Sequence, residues 1–391
     1  MIYLVVITSI VVLLYLAAWA SSERASLPIH YLPIDPARSI KIPATFKGTP
    51  VDAKQRFIFE EAPYYQNFLP LLRWLPIHLI KRLVTKNTVL PTNELNVAEI
   101  QKGNDCIVWL GHASYFVRLN GVNMLVDPHF HSIGPYRRLS KVPFNPSELD
   151  AIDFILITHD HEDHCNEKTL KELTTVNSAA TILTGKNMEE LIRSFGIKNK
   201  VIEALWYETY PINEIAITFV PSRHYSKRIF RPFNSTLWGG FVFEANTANL
   251  FISADSGYGT HYRDIGNLFH PQIAVLGTGA YKPEWFMQAN HMSPLEAVHA
   301  FHDMNASLMI PSHFGTFQLS DESVDDVLFS LNELRKDNNI LDVRIGKVYY
   351  ISDLLIHDAT NIKATDQEPE QYQPEYRRDV QGQQRSGSDQ E

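Results

Sequence analysis

Short apolar runs recur along the chain between residues 105 and 320, separated by turn residues or by amphipathic stretches. Such runs are typical of buried strands, and apolar positions about every third or fourth residue are typical of helices. The pattern predicts strands at residues 106–110, 115–119, 122–126, 152–157, 181–183, 215–220, 240–243, 250–253, 273–276 and 308–310. It predicts helices at residues 167–174, 188–195, 294–304 and 322–336. Several strands followed by helices, in two successive sets along the chain, indicate an α/β domain of two facing sheets with helices outside.

The beginning of the chain is a long apolar run. Residues 2–20 carry no charge, and about 20 apolar residues suffice to cross a hydrocarbon core about 30 Å thick. We therefore expect a retained single-pass transmembrane helix within residues 1–22. A cleaved signal peptide is the alternative, because Ala18-Trp19-Ala20 has the form of a cleavage site, but no Lys or Arg precedes the run. The basic residues from Arg24 onward predict that the globular part of the chain lies on the cytoplasmic side.

Residues 23–104 are predicted to be a linker with a possible interfacial segment. Between Tyr64 and Lys86, leucine and tryptophan are mixed with arginine and lysine, a composition typical of segments that lie on anionic lipid. Pro70 and Pro76 predict that any helices here are short. A loop that packs its leucines on the domain is an equal alternative.

Composition and charge add further limits. A hydrophobic content of 45% and a charged content of 20% are ordinary for a globular protein. The formal net charge of −9 argues against a nucleic-acid partner, since such proteins normally carry a basic excess. Cys106 and Cys165 give no disulfide framework and are predicted to be free thiols. Residues 359–391 are rich in Gln, Glu, Arg and Ser, so this tail is predicted to be disordered.

A cluster of potential metal ligands follows the predicted strand at residues 152–157. His159, His161, Asp163 and His164 lie within one short loop. Imidazole and carboxylate together suit divalent ions such as Zn²⁺. Side chains of one loop can point to two sides, so this loop can supply half of each of two adjacent metal sites. A solvated, charged turn is the structural alternative.

Three more residues of ligand type each lie just beyond a later predicted strand. They are His224, Asp255 and His313. A single histidine at a strand end is usually a surface or hydrogen-bonded residue. Three such residues downstream of a loop with four candidate ligands favour one shared metal centre.

The His-x-His-x-Asp-His motif at residues 159–164, followed by single ligands at strand ends, resembles the metallo-β-lactamase superfamily. Further segments resemble the N-acylphosphatidylethanolamine-hydrolysing phospholipase D group within that superfamily. They are Trp109-Leu110-Gly111-His112-Ala113, Leu125-Val126-Asp127-Pro128, Pro221-Ser222-Arg223-His224-Tyr225, Ala254-Asp255-Ser256-Gly257-Tyr258, His291-Met292-Ser293-Pro294-x-Glu296-Ala297 and His313-Phe314-Gly315-Thr316-Phe317. The resemblance covers residues 105–320.

The resemblance implies a four-layer αββα sandwich over residues 105–358 and two Zn²⁺ per chain. The implied ligands of one ion are His159, His161 and His224, and those of the other are Asp163, His164 and His313. Asp255 would bridge the two ions through its two carboxylate oxygens. Asp127 would orient a ligand histidine by a hydrogen bond.

Two further histidines are candidates for catalysis. Two divalent ions about 3.5–4 Å apart can acidify a water, so that a metal-activated hydroxide attacks phosphorus. His291 and His112 are expected near the site as phosphate contacts or proton donors. The structural alternatives are helix capping or loop packing for His291 and a hydrogen bond within the Gly111 turn for His112.

The leading hypothesis is a membrane-anchored zinc phosphodiesterase of the phospholipase D type. It would cut N-acylphosphatidylethanolamine or a similar phospholipid, and anchoring would raise the local concentration of that substrate. A hydrolase of a lactone or of a small phosphodiester is the alternative that uses the same centre. A non-catalytic membrane-anchored binding module is the second alternative, although it gives no reason to retain every ligand.

Overall fold

The computed structural model describes residues 28–63, 68–85, 87–213 and 215–361. The predicted membrane anchor and its orientation lie outside these residues, as does most of the predicted tail. Among the described residues, no helix is long and apolar enough to cross a bilayer.

The strands form a small two-stranded sheet and two large mixed sheets. In chain order they are β1 (His30–Leu32), β2 (Thr49–Val51), β3 (Cys106–Gly111), β4 (Ser114–Leu119), β5 (Val122–Val126), β6 (Phe154–Ile157), β7 (Thr181–Gly185), β8 (Val201–Ala204), β9 (Glu208–Thr209), β10 (Ala216–Val220), β11 (Gly240–Glu244), β12 (Asn249–Ile252), β13 (Ile273–Gly277), β14 (Leu308–Ser312) and β15 (Val348–Tyr350). The seven-stranded sheet has the order β15-β3-β4-β5-β6-β7-β8, and the six-stranded sheet has the order β14-β13-β12-β11-β10-β9.

The helices flank these sheets. They are α1 (Phe68–Val84), α2 (Val97–Lys102), α3 (Glu167–Val176), α4 (Met188–Ser194), α5 (His261–Phe269), α6 (Glu284–Met287), α7 (Pro294–Asp303), α8 (Val324–Leu334) and α9 (Ile351–Asn361). Two helices begin with a capping box, α7 at Ser293 and α8 at Ser323. Each box satisfies backbone donors at the helix start that would otherwise have no partner.

Two hydrophobic cores hold the layers together. One contains the apolar faces that the two large sheets turn towards each other, together with apolar residues of α5, α7 and α8. The other lies between the seven-stranded sheet and α2, α3 and α4. The order of layers is therefore helix, sheet, sheet, helix, as the resemblance implies.

Parallel pairing brings the candidate site together. Strands β5 to β8 are parallel neighbours, as are β12 to β14. Their carboxyl ends consequently lie at a common edge of each sheet. Asp127 follows β5, the motif loop follows β6, and His313 follows β14.

Every strand and helix in the two lists of predictions is confirmed to within about two residues. The pattern missed the short strands β1, β2, β8, β9 and β15 and the helices α2, α5, α6 and α9. Residues Val51, Phe57 and Phe59 belong to the core between the sheets. Part of the segment predicted as a linker, residues 23–104, therefore packs on the domain.

The expectation of short helices between residues 64 and 86 is wrong. Helix α1 is continuous over 17 residues, with Pro76 inside it. Pro70 lies in the first turn, where no backbone N–H is needed. Pro76 has no backbone N–H to donate to the carbonyl group of Leu72, four residues earlier. Both residues are exposed, so solvent can satisfy this carbonyl group.

Candidate metal centre

All seven predicted ligands converge at the common edge of the two sheets. Five of them are buried, His161 is partly buried, and the side chain of Asp163 is 16% exposed. Six of the seven form two groups. The triple-histidine group is His159, His161 and His224, and the mixed group is Asp163, His164 and His313.

The triple-histidine group presents three ring nitrogens to one point. Nε2 of His159 lies 3.0 Å from Nδ1 of His161, and Nε2 of His224 lies 3.2 Å from that same Nδ1. The other nitrogen of His224 donates a hydrogen bond to the carbonyl of Asn290 at 3.1 Å. Its Nε2 is therefore unprotonated and free to bind a cation.

The mixed group lies directly beside the first. Nε2 of His164 is 3.4 Å from Oδ2 of Asp163, and Nε2 of His313 is 3.6 Å from that oxygen. These distances are longer than charge-assisted hydrogen bonds. They fit atoms that face a shared point better than atoms that bind each other.

Asp255 lies between the two groups. Its Oδ1 is 3.1 Å from Nε2 of His313, and its Oδ2 is 3.2 Å from Nε2 of His164. Oδ2 is also 3.9 Å from Nε2 of His224, in the triple-histidine group. This carboxylate therefore contacts both groups, as a bridging ligand would.

Asp127 lies outside the two ligand groups and orients two of their histidines through hydrogen bonds. Its Oδ2 accepts a hydrogen bond from Nδ1 of His164 at 2.7 Å and another from the hydroxyl of Thr158 at 2.5 Å. That hydroxyl accepts in turn from Nδ1 of His159 at 2.9 Å. Both imidazoles are thereby held with Nε2 towards the centre. The orienting role expected of Asp127 agrees with this geometry, while sequence reasoning gave Thr158 no role.

The electrostatics of the cluster favour added positive charge. Burial opposes ionisation of Asp163 and Asp255, but neighbouring imidazoles, His164 first, hold the pKa of each carboxyl group well below its usual range. Burial also opposes protonation of the imidazoles of His164 and His313. The carboxylates nevertheless raise the pKa of His164 well above its usual value and the pKa of His313 to about 9. Burial lowers the pKa of each member of the triple-histidine group.

The residues fit a pair of divalent ions. Nε2 of His164 and Nε2 of His313 are buried without a hydrogen-bond partner among the described residues, although polar atoms in this position normally have one. A set of imidazole nitrogens and carboxylate oxygens is the donor chemistry of zinc sites. Ions bound by both groups would satisfy these nitrogens and neutralise the carboxylates.

His112 lies beside the mixed group, near the site as expected. Its Nε2 donates to Oδ2 of Asp163 at 2.9 Å, and burial lowers its pKa to about 3. The backbone of His112, rather than its ring, holds the turn, since its N–H donates to Thr316 at 2.6 Å. The ring is thus positioned to orient Asp163.

His291 faces the centre. Its Nδ1 lies 3.7 Å from Oδ2 of Asp255, and its ring centroid is 5.2 Å from that of His224. Burial lowers its pKa to about 4, so the ring is neutral at pH 7. The capping role considered for it belongs to Ser293, whose hydroxyl accepts from the N–H of Glu296.

Some nearby residues had no sequence signal of their own. The ring of Tyr225 is 4.8 Å from His161 and 4.9 Å from His224, and adjacency to His224 was its only clue. His129 is buried against Phe317, which in turn contacts His112. Its position two residues after Asp127 could have indicated this location.

Cys106 and Cys165 are buried free thiols, as predicted. Burial raises the pKa of each to about 12, so neither is a thiolate at neutral pH. Neither cysteine belongs to a ligand group of the described residues.

Comparisons with known proteins agree with the fold and with metal-dependent hydrolysis. Residues 122–314 match a β-lactamase superfamily domain. A metal-dependent hydrolase of Caldivirga maquilingensis is 30% identical over 209 residues, which cover 54% of this chain and 82% of the relative. A possible metal-dependent hydrolase from Veillonella parvula has a similar structure, with a TM-score of 0.54 and 16% identity over 63% of this chain and all of that one. The expected α/β metallo-β-lactamase fold is thereby confirmed.

Two relatives carry the name of a phospholipase. The N-acyl-phosphatidylethanolamine-hydrolyzing phospholipase D 1 of Caenorhabditis elegans is 26% identical over 291 residues, covering 68% of this chain and 82% of the relative. The mitochondrial protein of the same activity name from Saccharomyces cerevisiae is 32% identical over 241 residues. That match covers 57% of this chain and 51% of the yeast protein.

We predict that Asp127→Asn weakens metal binding about 10- to 100-fold, as loss of an orienting partner typically does. The amide cannot accept all of the hydrogen bonds that the carboxylate accepts. Competition with a chromophoric chelator measures the affinity. Asp153→Asn is the matched control, because Asp153 accepts a backbone hydrogen bond from Asn123 at the opposite end of β6. Equal affinity in the Asp127 variant and the wild type would contradict the orienting role.

We also predict that metal uptake by the stripped protein at pH 7 releases about two protons per chain, since ligand histidines must be neutral. The pKa of His313 is raised to about 9 and that of His164 well above its usual value, mainly by neighbouring carboxylates, so we expect both rings to carry a proton before metal binds. Release should decrease as the pH rises through about 9, where His313 loses its proton. Calorimetry in buffers of different ionisation enthalpy measures it. A binding heat independent of the buffer at pH 7 would refute this account.

Proposed function

Since this chain belongs to the β-lactamase superfamily and is a metal-dependent hydrolase, we propose that it is a dizinc phosphodiesterase of the phospholipase D type. Its substrate is N-acylphosphatidylethanolamine or a similar phospholipid, cleaved to phosphatidic acid and a head-group alcohol. The protein works at a membrane surface.

One observation carries the dinuclear part of this proposal. The two oxygens of Asp255 contact nitrogens of both ligand groups, at 3.1 Å for His313, 3.2 Å for His164 and 3.9 Å for His224. Centres with two metals are common in enzymes that cleave phosphate esters. The names of the nematode and yeast relatives support the phospholipid substrate.

Each residue of the centre has a defined task in this proposal. The seven ligands would hold two divalent ions, which supply Lewis-acid polarisation of the phosphoryl group and acidify the attacking water. Asp127 and Thr158 keep the rings of His159 and His164 in their binding orientation. His112 does the same for Asp163, through the 2.9 Å hydrogen bond.

His291 is a further polar side chain next to Asp255, with Nδ1 3.7 Å from Oδ2 of that carboxylate. It belongs to neither the triple-histidine nor the mixed group, and its side chain is 16% exposed. Its neutral ring can donate one N–H hydrogen bond. We assign it to a non-bridging oxygen of the substrate phosphate, where such a donor stabilises developing negative charge.

Hydrolysis of a lactone or of a small phosphodiester is the second candidate. The relative from Caldivirga maquilingensis, of which this chain covers 82%, is named a metal-dependent hydrolase and its name includes no phospholipid. The same ligands serve this reaction. A substrate panel separates the two candidates.

We predict that the detergent-solubilised protein releases phosphatidic acid from N-acylphosphatidylethanolamine in mixed micelles. A chelator should abolish the activity, and Asp255→Asn should reduce it at least 100-fold, because the amide cannot neutralise two ions. Mass spectrometry of the lipid products measures both effects. Absence of turnover, with about two ions still bound per chain, would exclude this substrate and direct attention to lactones and small phosphodiesters.

We predict that His291→Asn lowers kcat about 100-fold, as loss of one preorganised donor typically does, without changing metal content. Rates and metal analysis are compared with those of His302→Asn, which replaces an exposed histidine on α7. Loss of metal from the His291 variant would show that His291 supports the ligands instead. An unchanged kcat would show that it has no role in the reaction.

A further inference from the structure

Helix α1 turns its polar side towards the protein. Trp74 and His78 are buried, and both donate to one carboxylate oxygen of Asp321, at 3.1 and 3.0 Å. Lys81 donates to the other oxygen at 2.8 Å. Arg82 donates to the carbonyl of Pro135 at 2.7 Å. These polar contacts fix the orientation of the helix.

The opposite side of α1 is an exposed apolar surface, which we call the outer face. It consists of Leu72, Ile77, Leu79, Ile80, Leu83 and Val84. Leu83 is 87% exposed, Val84 is 73% exposed and Ile80 is 65% exposed. Residues three and four apart lie side by side on a helix, so these side chains form one continuous patch. Contiguous apolar patches on a protein surface mark interaction sites.

The rim of the outer face carries aromatic and basic groups. The guanidinium of Arg73 stacks on Trp285 at 4.7 Å from the ring centroid, and Trp285 is itself 48% exposed. Lys81 is half exposed, and Arg137 is exposed in the loop that Arg82 contacts. Apolar side chains with tryptophan and basic groups beside them fit the boundary of an anionic bilayer. A patch between two protein copies has no need of this basic rim.

The same helix is held by a loop whose other residues line a pocket at the candidate centre. Asp321, which holds α1, lies between Ser320 and Glu322, and both of these residues line a pocket that extends to His112 and His313. A surface on which α1 rests would therefore lie close to the entrance of the metal centre. The helix has 17 residues and is not long and apolar enough to cross a bilayer.

We propose that the outer face of α1 lies in the interface of an anionic phospholipid bilayer and presents the metal centre to the head groups. The use of this contact to deliver substrate rests on the function proposed above. The docking itself depends only on the outer face and its rim. It is distinct from the predicted anchor in residues 1–22, which lies outside the described residues.

A fluorescent label at the outer face tests the docking in the full chain. Leu83→Cys is coupled to an environment-sensitive fluorophore, while the buried Cys106 and Cys165 stay unlabelled. Phe329→Cys on α8 is the matched control, since Phe329 is 69% exposed. The vesicles contain phosphatidylglycerol and phosphatidylcholine without any N-acylated lipid.

We expect a blue shift and a several-fold gain in emission at position 83 only, smaller at high salt because ions screen the basic rim. No change at position 83, with vesicles that sediment the protein, would overturn the proposal. A shift without vesicles that grows with protein concentration would also overturn it, because a second copy would then cover the outer face.

A paired activity measurement separates docking from function. Ile80→Asp combined with Leu83→Asp should lower hydrolysis of vesicle lipid at least tenfold and leave hydrolysis of monomeric dihexanoyl phospholipid unchanged. Equal loss on both substrates would contradict a docking role. A label response without hydrolysis of any phospholipid would overturn the proposed function and leave docking intact. Hydrolysis of phospholipid without a label response would overturn docking and leave the proposed function intact.

Discussion

Two carboxylates, Asp255 buried and Asp163 16% exposed, lie among five imidazoles, and this grouping of charge is the constraint on which the centre depends. Ionised groups are costly to bury unless opposite charge lies beside them. In this chain Asp163 and Asp255 raise the pKa values of two neighbouring histidines, His164 and His313, above their usual range. A divalent ion in each ligand group satisfies the same requirement without those protons. The charges of the site therefore favour cation binding. The hydrogen bonds to the ligand residues from outside the two groups orient the side chains that would bind these cations.

The fold meets this constraint through rigid strand ends. Parallel strands of two packed sheets place Asp127, the motif loop and His313 at one edge. The seven ligands come from segments far apart in the chain, so none of the groups forms without the packed sheets. Asp321 joins helix α1 to a loop that lines the pocket at His313. Chemistry and membrane contact would thus share one side of the molecule.

Much of this arrangement could be predicted from the chain alone. Apolar runs identify strands, and ligand-type residues at strand ends identify an edge, because both signals are local. Tertiary contacts are not local, and the predictions that failed depended on them. The hydrogen bond of His112 to Asp163 spans 51 positions, and that of Trp74 to Asp321 spans 247. Helix α1 likewise continues through Pro76 because its tertiary contacts hold it in place. The intrinsic helix propensity of its residues does not predict this continuity.

Anomalous diffraction at the zinc absorption edge, from crystals grown with zinc, would locate the ions in the centre. We expect two peaks, one among the nitrogens of the triple-histidine group and one within the mixed group, with Asp255 in contact with both. A single peak, or two peaks of which neither contacts Asp255, would contradict a dinuclear centre bridged by this carboxylate.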